Sequence, residues 1–373
     1  MSPSSGLMVE RVAIIGIGLI GGSLALAWKE RVPNLHVTGF DKPDVLRQAI
    51  KRRIIDHEAS SLADAVNRAD AVFLAVPLNA LESVLGAIAP HLRPHTFVTD
   101  VGSVKQPVIN AAAHLLANNV CFIGGHPMTG SERSGLEGAD SFLFENAVYV
   151  LCPNGQEDSD AYRALTHLVE STGARVLSMD SVQHDRVVAC VSHLPQLLAT
   201  NLMGVAADRC QDNPITLQLA AGGFRDMTRI ASSPFEMWSA VLEANRTDVR
   251  TALDELIHAL EFTRKQLRAD GDLQELRPIF ERARAVRNTI PRDFKGFLRP
   301  LSDVFVYAKD QPGVLAHITG TLFEQGISIK DIELLKIREG TGGAFRISLE
   351  DDKTADAAVA ALKSQGCRAH RLP

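Results

Sequence analysis

The stretch RVAIIGIGLIG, Arg11–Gly21, constrains this 373-residue chain more tightly than any other. A short apolar run rich in Val and Ile reads as a strand. It leads directly into Gly16-x-Gly18-x-x-Gly21, with Leu19 and Ile20 opening an apolar helix. The first glycine permits a tight turn, the second lets a phosphate approach the backbone, and the third lets helix and strand pack closely. A phosphate then meets the free N–H groups and positive dipole end of the helix. A second run, LHVTGF, ends at Asp41, where a carboxylate accepts bonds from ribose hydroxyls and repels a 2′-phosphate. The pair favours NAD over NADP, although the adjacent Lys42 argues the other way.

The runs AVFLAV, TFVTD, VCFIG, AVYVLC and ARVLSM continue the strand pattern. Helix-length segments such as 42–52, 79–89 and 104–117 separate some of them. Apolar strands alternating with helices imply an α/β fold, a Rossmann-type doubly wound and mostly parallel sheet covered on both faces. From residue 181 to 288 the strand signal stops, and DRVVACVSHLPQLLATNLMGVAADRC is apolar on nearly every side, as a buried helix is. Pro195 inside it is expected to kink the helix and to leave the Val191 carbonyl without its partner. Val249, Leu253, Leu256 and Leu260 form a packing seam that fits an internal core or a subunit interface equally. A proline- and glycine-bearing linker over 291–302 precedes a βαββαβ, ferredoxin-like unit over 303–373. The expected domains are therefore 1–180 for the dinucleotide, 181–290 all-helical, and 303–373.

A net charge of −5 argues against a nucleic acid or an anionic membrane surface as partner. No run of about twenty apolar residues is evident, so no membrane span is expected. The N-terminus lacks a basic, cleavable leader pattern. Cys121, Cys152, Cys190, Cys210 and Cys367 are scattered without a C-x-x-C pair. No disulfide framework and no metal site are expected, and a reducing, cytoplasmic compartment fits.

The segment GGHPMTGSERSG, Gly124–Gly135, lacks apolar periodicity and reads as a ligand-facing loop. In a doubly wound sheet, ligands gather at the carboxyl ends of the strands. Pro77, Ser103 and His126 stand at three successive strand ends, on the same edge as the glycine loop. An imidazole beside a nicotinamide can take the hydroxyl proton as hydride leaves a carbinol carbon. Ser103 is placed to hydrogen-bond the nicotinamide ring or His126. In the helical region Arg225 and Arg229 share a face if GGFRDMTRIASSPFEMW is helical, and can grip a carboxylate. Ser192-His193-Leu194-Pro195-Gln196 sits at the proline, where polar groups can face a cavity.

These motifs together resemble the prephenate dehydrogenase family of tyrosine biosynthesis. GIGLIGGS, FD, VTDVGSVK, GGHPMTGSERSG, SHLPQ and GGFRDMTRIASSPFEMW occur in that order. YAKDQPGVLAHI with its βαββαβ pattern is similar to an ACT domain, a small amino-acid-binding module. The resemblance implies NAD-dependent oxidative decarboxylation of prephenate to 4-hydroxyphenylpyruvate. It implies His126 as base, Ser103 as its hydrogen-bonding neighbour and Arg229 as the carboxylate ligand, with Arg225 in a position where relatives can have lysine. Ser131, Glu132, Ser192 and His193 then line the pocket. Gln196 departs from relatives that have histidine or an acid there, and its neutral amide favours prephenate over the ammonium-bearing arogenate. Tyrosine is the implied effector at Asp310, Gln311, Pro312 and Gly313, although Ser328 stands where many such domains have asparagine. A homodimer through the helical domain is implied too.

Two other readings stay open at this stage. A β-hydroxy-acid dehydrogenase shares the architecture but usually uses a lysine from its helical domain. A non-catalytic sensor of NAD and amino acids would keep both binding modules without chemistry.

Overall fold

The computed structural model describes residues 9–130, 135–213, 215–268, 270–289, 301–308, 311–338 and 342–371. The chain divides into two compact units, Met1–Leu276 and Arg277–Pro373.

In the first unit, strands β1 (Arg11–Ile15), β2 (His36–Phe40), β3 (His57–Glu58), β4 (Ala71–Leu74), β5 (Phe97–Asp100), β6 (Cys121–Pro127), β7 (Val148–Cys152) and β8 (Arg175–Ser178) form one sheet. Its order is β3-β2-β1-β4-β5-β6-β7-β8, so the chain switches direction between β1 and β4. That switch point is where doubly wound sheets open a crevice. Helices α1 (Leu19–Arg31), α2 (Pro43–Lys51), α3 (Leu62–Val66), α4 (Leu81–Ile88), α5 (Gln106–Leu115) and α6 (Asp160–Glu170) connect the strands. Two apolar clusters form. One gathers Leu24, Trp28, Phe73, Phe144 and Leu165, and the other Ile15, Leu74, Leu85, Val98 and Val108. Trp28 meets Phe73 edge-on at 4.9 Å and donates its indole N–H to the Leu168 carbonyl at 2.9 Å. A buried ring is thereby held without an unpaired donor.

The sheet is mostly parallel as expected, with one antiparallel pair, and the extent of one expected loop changes. β7 runs antiparallel to β6, because no crossover helix separates them, and β8 runs parallel to β7. The segment expected as a loop from Gly124 is still strand through Pro127, because β7 supplies its ladder: His126 pairs with Val150 and Pro127 with Tyr149.

The helices α7 (Ser181–Val188), α8 (Leu194–Asp212), α9 (Gly222–Thr228), α10 (Phe235–Ala244) and α11 (Arg246–Gln266) complete this unit. Asp180 caps α7 by accepting the Val182 and Gln183 N–H groups. Ahead of Pro195 the helix widens into one π turn, Ala189–His193, closed by the Leu194 N–H on the Ala189 carbonyl. Proline cannot donate to the carbonyl four residues back, and slipping to a five-residue bond is one way to absorb the defect. Contrary to expectation, Ser181–Gln211 is long and apolar enough to cross a membrane by length and composition alone. It nevertheless buries His184, Asp185, His193 and Gln196, a polar stripe that faces protein. The α11 seam is buried at Val249 and exposed at Leu260.

In the second unit, α12 (Arg277–Thr289) precedes β9 (Ser302–Ala308), α13 (Val314–Glu324), β10 (Asp331–Arg338), β11 (Gly342–Leu349), α14 (Asp352–Ser364) and β12 (Arg368–Arg371). The four strands pair antiparallel in the order β10-β11-β9-β12. Val304, Val306, Ile318, Leu322, Ile347 and Leu362 fill its core, and the expected βαββαβ pattern is present.

Candidate active site

Gly16 has a φ of +98°, and a Cβ there would lie 2.3 Å from the Ala75 carbonyl oxygen, so only glycine closes this turn against the end of β4. A Cβ on Gly18 would meet nothing within 4 Å. Gly18 caps α1, and no side chain accepts from the first turn, which opens with Leu19 and Ile20. A Cβ on Gly21 would stand 2.0 Å from the Gly16 carbonyl oxygen, which sets how closely α1 lies on β1. The Asp41 carboxylate accepts the Ile17 N–H at 2.7 Å and the Lys42 N–H at 2.6 Å. Those bonds fix it at the end of β2 and leave lone pairs for a ribose. The cradle fits a dinucleotide.

His126, at the carboxyl end of β6, is buried and bonded behind. Its Nδ1 lies 2.8 Å from His184 Nε2, and His184 Nδ1 lies 2.7 Å from an Asp185 oxygen. The Lys105 and Gln106 backbone N–H groups donate to the same carboxylate at 2.8 and 2.9 Å. A carboxylate can only accept, so His184 donates from Nδ1, and as a neutral imidazole it accepts at Nε2. His126 must then donate from Nδ1, which leaves its Nε2 lone pair free as a base. Asp100 and Lys105 form a fully buried ion pair below this chain. The Lys105 ammonium also donates to the Gly125 carbonyl at 2.6 Å, and Asp100 accepts the Gly102 N–H at 2.8 Å. Burial, with the Lys105 charge and the His184 and His193 rings, holds the His126 proton affinity well below the usual histidine range.

A second polar group adjoins from the helical region. Asn245 donates to the Asp185 carbonyl at 2.8 Å and meets His193 Nδ1 at 3.3 Å. His193 Nδ1 therefore accepts, and Nε2 carries the hydrogen. Burial pushes this imidazole down to about 4, so it is neutral at pH 7. The Trp238 ring lies 5.9 Å from it, edge-on. Among the described residues neither His193 Nε2 nor Trp238 Nε1 has an acceptor, although both are buried. Gln196 is buried and donates to the Ile230 carbonyl at 3.0 Å, tying α8 to the turn that begins at Arg229. Arg225 and Arg229 lie one helical turn apart and are exposed in the single chain.

Of the residues singled out in the sequence, the glycine cradle and Asp41 lie together at the ends of β1 and β2, His126 stands at the end of β6, and His193 and Gln196 are buried in the helical region. Ser103 makes no hydrogen bond among the described residues and follows β5 on the same edge of the sheet. His184, not a serine, pairs with His126, because α7 packs across the end of β6. His184, Asp185, Lys105, Asn245 and Trp238 were missed. Their one available signal is polarity on an otherwise apolar helix or strand end. Pro77 is exposed after β4, and Ser192 is half-buried beside His193. Ser131 and Glu132, like Asp310 in the second unit, lie outside the described residues. Gln311, Pro312, Gly313 and Ser328 are exposed there, and Gly313 caps α13 with a left-handed φ of +87°.

A doubly wound sheet with a glycine cradle and a buried imidazole base on the same edge defines a dinucleotide-dependent dehydrogenase. Residues 24–178 match the model for the prephenate dehydrogenase nucleotide-binding domain. Residues 180–282 match its dimerization domain, and 302–367 the ACT domain. A prephenate dehydrogenase of Bacillus subtilis is 36% identical, over 92% of this chain and 93% of its own. One from Lactococcus lactis is also 36% identical, over 92% and 94%. The structure of prephenate dehydrogenase from A. aeolicus in complex with hydroxyphenyl propionate and NAD+ superposes with a TM-score of 0.69. It is 28% identical and covers 76% of this chain and 99% of its own. The chain belongs to the prephenate dehydrogenase family.

Proposed function

We propose that the chain is an NAD-dependent prephenate dehydrogenase of tyrosine biosynthesis, converting prephenate to 4-hydroxyphenylpyruvate, and that tyrosine regulates it. The observation that carries the catalytic reading is the relay from Asp185 through His184 to His126, which leaves one free imidazole nitrogen on the edge that bears the glycine cradle.

Bound NAD supplies a hydride acceptor. His126 Nε2 accepts the ring hydroxyl proton as the hydride leaves the same carbon. The ring carboxylate then departs as carbon dioxide, its bonding pair enters the ring, and the imidazolium returns the proton to the new phenolate. Asp185 and His184 hold the tautomer and stabilise the transient positive charge. His193 Nε2–H and Trp238 Nε1–H offer two unpaired donors to a substrate oxygen, and Arg229, with Arg225 near it, supplies charge for a carboxylate. Neutral Gln196 holds the arginine-bearing turn and gives an ammonium no counter-charge, which favours prephenate.

The exposed Val191, Val205, Leu219, Phe235 and Leu260 give the helical domain an apolar surface that a second copy would cover, as the dimerization-domain match supports. Five free cysteines fit a reducing cytoplasm.

The deciding experiment mixes protein, NAD and prephenate and follows the NADH absorbance. Growth of that band with prephenate, slower growth with arogenate, and a weaker response with NADP are expected. Well-folded, NAD-binding protein that gives no NADH would make the chain a sensor instead.

A further inference from the structure

The edge of the sheet opposite the catalytic groups carries a cavity of about 280 Å³, walled by β1, β2, β3 and α3. It lies at the amino ends of β1 and β2, about 16 Å along the strands from the glycine loop. Its lining includes Arg11, His36, Thr38, His57, Asn67 and Arg68. β1 and β2 pair Arg11 with His36, and β2 and β3 pair Thr38 with His57, so these side chains share one face of the sheet.

The donor and acceptor inventory of this cavity is unbalanced. Neither the Arg11 nor the Arg68 guanidinium makes a hydrogen bond or ion pair among the described residues. The Thr38 hydroxyl and the Asn67 amide likewise have no partner there. The one carboxylate in the lining, Asp64, already accepts the Ser60 N–H and hydroxyl at 2.8 and 3.0 Å, and stands 3.9 Å from His57. Two permanent cations and several neutral donors, most of them solvent-exposed, thus line a hollow whose one carboxylate sits near Arg68 and has one of its two oxygens engaged. At about 30 Å³ per water, it has room for roughly nine non-hydrogen atoms.

We infer that this cavity is a binding site for a small, multiply charged oxyanion, such as a phosphate or a short dicarboxylate, gripped by Arg11 and Arg68. The proposal is independent of the dehydrogenase reading, since none of these residues belongs to the catalytic edge.

The test is calorimetric titration of the full chain, saturated with NAD to block the pyrophosphate cradle, with inorganic phosphate and with succinate at constant ionic strength. Saturable binding of at least one probe at a single site is expected, and the preference between them separates a phosphate from a carboxylate site. The Arg11→Gln, Arg68→Gln double variant is expected to weaken it at least tenfold while NAD affinity stays as it was. Binding no stronger than that of chloride, or equal binding by the double variant, overturns the proposal.

Discussion

His126 is packed among Lys105, His184 and His193, so it sheds its proton well below pH 6.5. A base must be neutral to act, and lowering its proton affinity extends the neutral range toward acid. The acid limb of kcat/KM should therefore fall below the ordinary histidine range, with little loss between pH 7.5 and 6.5. A limb centred at or above 6.5 would contradict this environment. His126→Asn should keep NAD binding and lower kcat by roughly two to four orders of magnitude. Asp185→Asn tests the relay separately. Its amide has one oxygen, so it cannot accept the Lys105 N–H, the Gln106 N–H and the His184 Nδ1–H together, and it brings no negative charge to stabilise a protonated relay. A fall in kcat of roughly 10²–10⁴ with a small change in KM is expected. Unchanged turnover would reduce Asp185 to a structural cap on α5.

At the scale of elements, what the sequence discloses depends on how local the cause is. β1, the glycine turn and the end of β2 are written in consecutive residues, and the βαββαβ unit follows from short apolar runs and turn glycines. The reversal of β7 is not, because direction depends on what connects two strands, and residues 128–147 carry no periodicity to read. His184 and Asp185 are hidden for another reason. They look like ordinary polar residues of a helix start, and only the packing of α7 brings them to His126, 58 positions away in the chain. Lys105 is similar, since lysine is rarely fully buried and only Asp100 makes its burial tolerable. The local part has a test. Gly16→Ala needs a left-handed φ and pushes a Cβ onto the Ala75 carbonyl, so NAD affinity should drop at least tenfold and thermal stability should decrease. Normal NAD affinity in that variant would show that the turn relaxes without opening the cradle.

At the scale of the molecule, the chain divides into two compact units between Leu276 and Arg277, and the proposed effector site belongs to the second. For tyrosine to reach His126 it must bind one arrangement of the units better than another, since equal affinity shifts nothing. Tyrosine is expected to inhibit the full chain, and truncation after Asn288 to leave an active enzyme with weaker inhibition. Equal inhibition of both forms would place tyrosine in the substrate pocket, as a competitor of prephenate.

The π turn at Ala189–His193 acts as a phase correction. Eight residues of regular α-helix carry the side chain at 193 about 80° away from that at 185, whereas one residue absorbed in a wide turn cuts the offset to about 20°. The buried positions keep that record: 184–185, then 188–189, then 193, 196 and 199. Asn245 can bridge the Asp185 carbonyl and His193 only because of this offset. A related chain one residue shorter here could align well on both flanks and still turn its His193 and Gln196 counterparts out of the pocket. Percent identity would not register the difference.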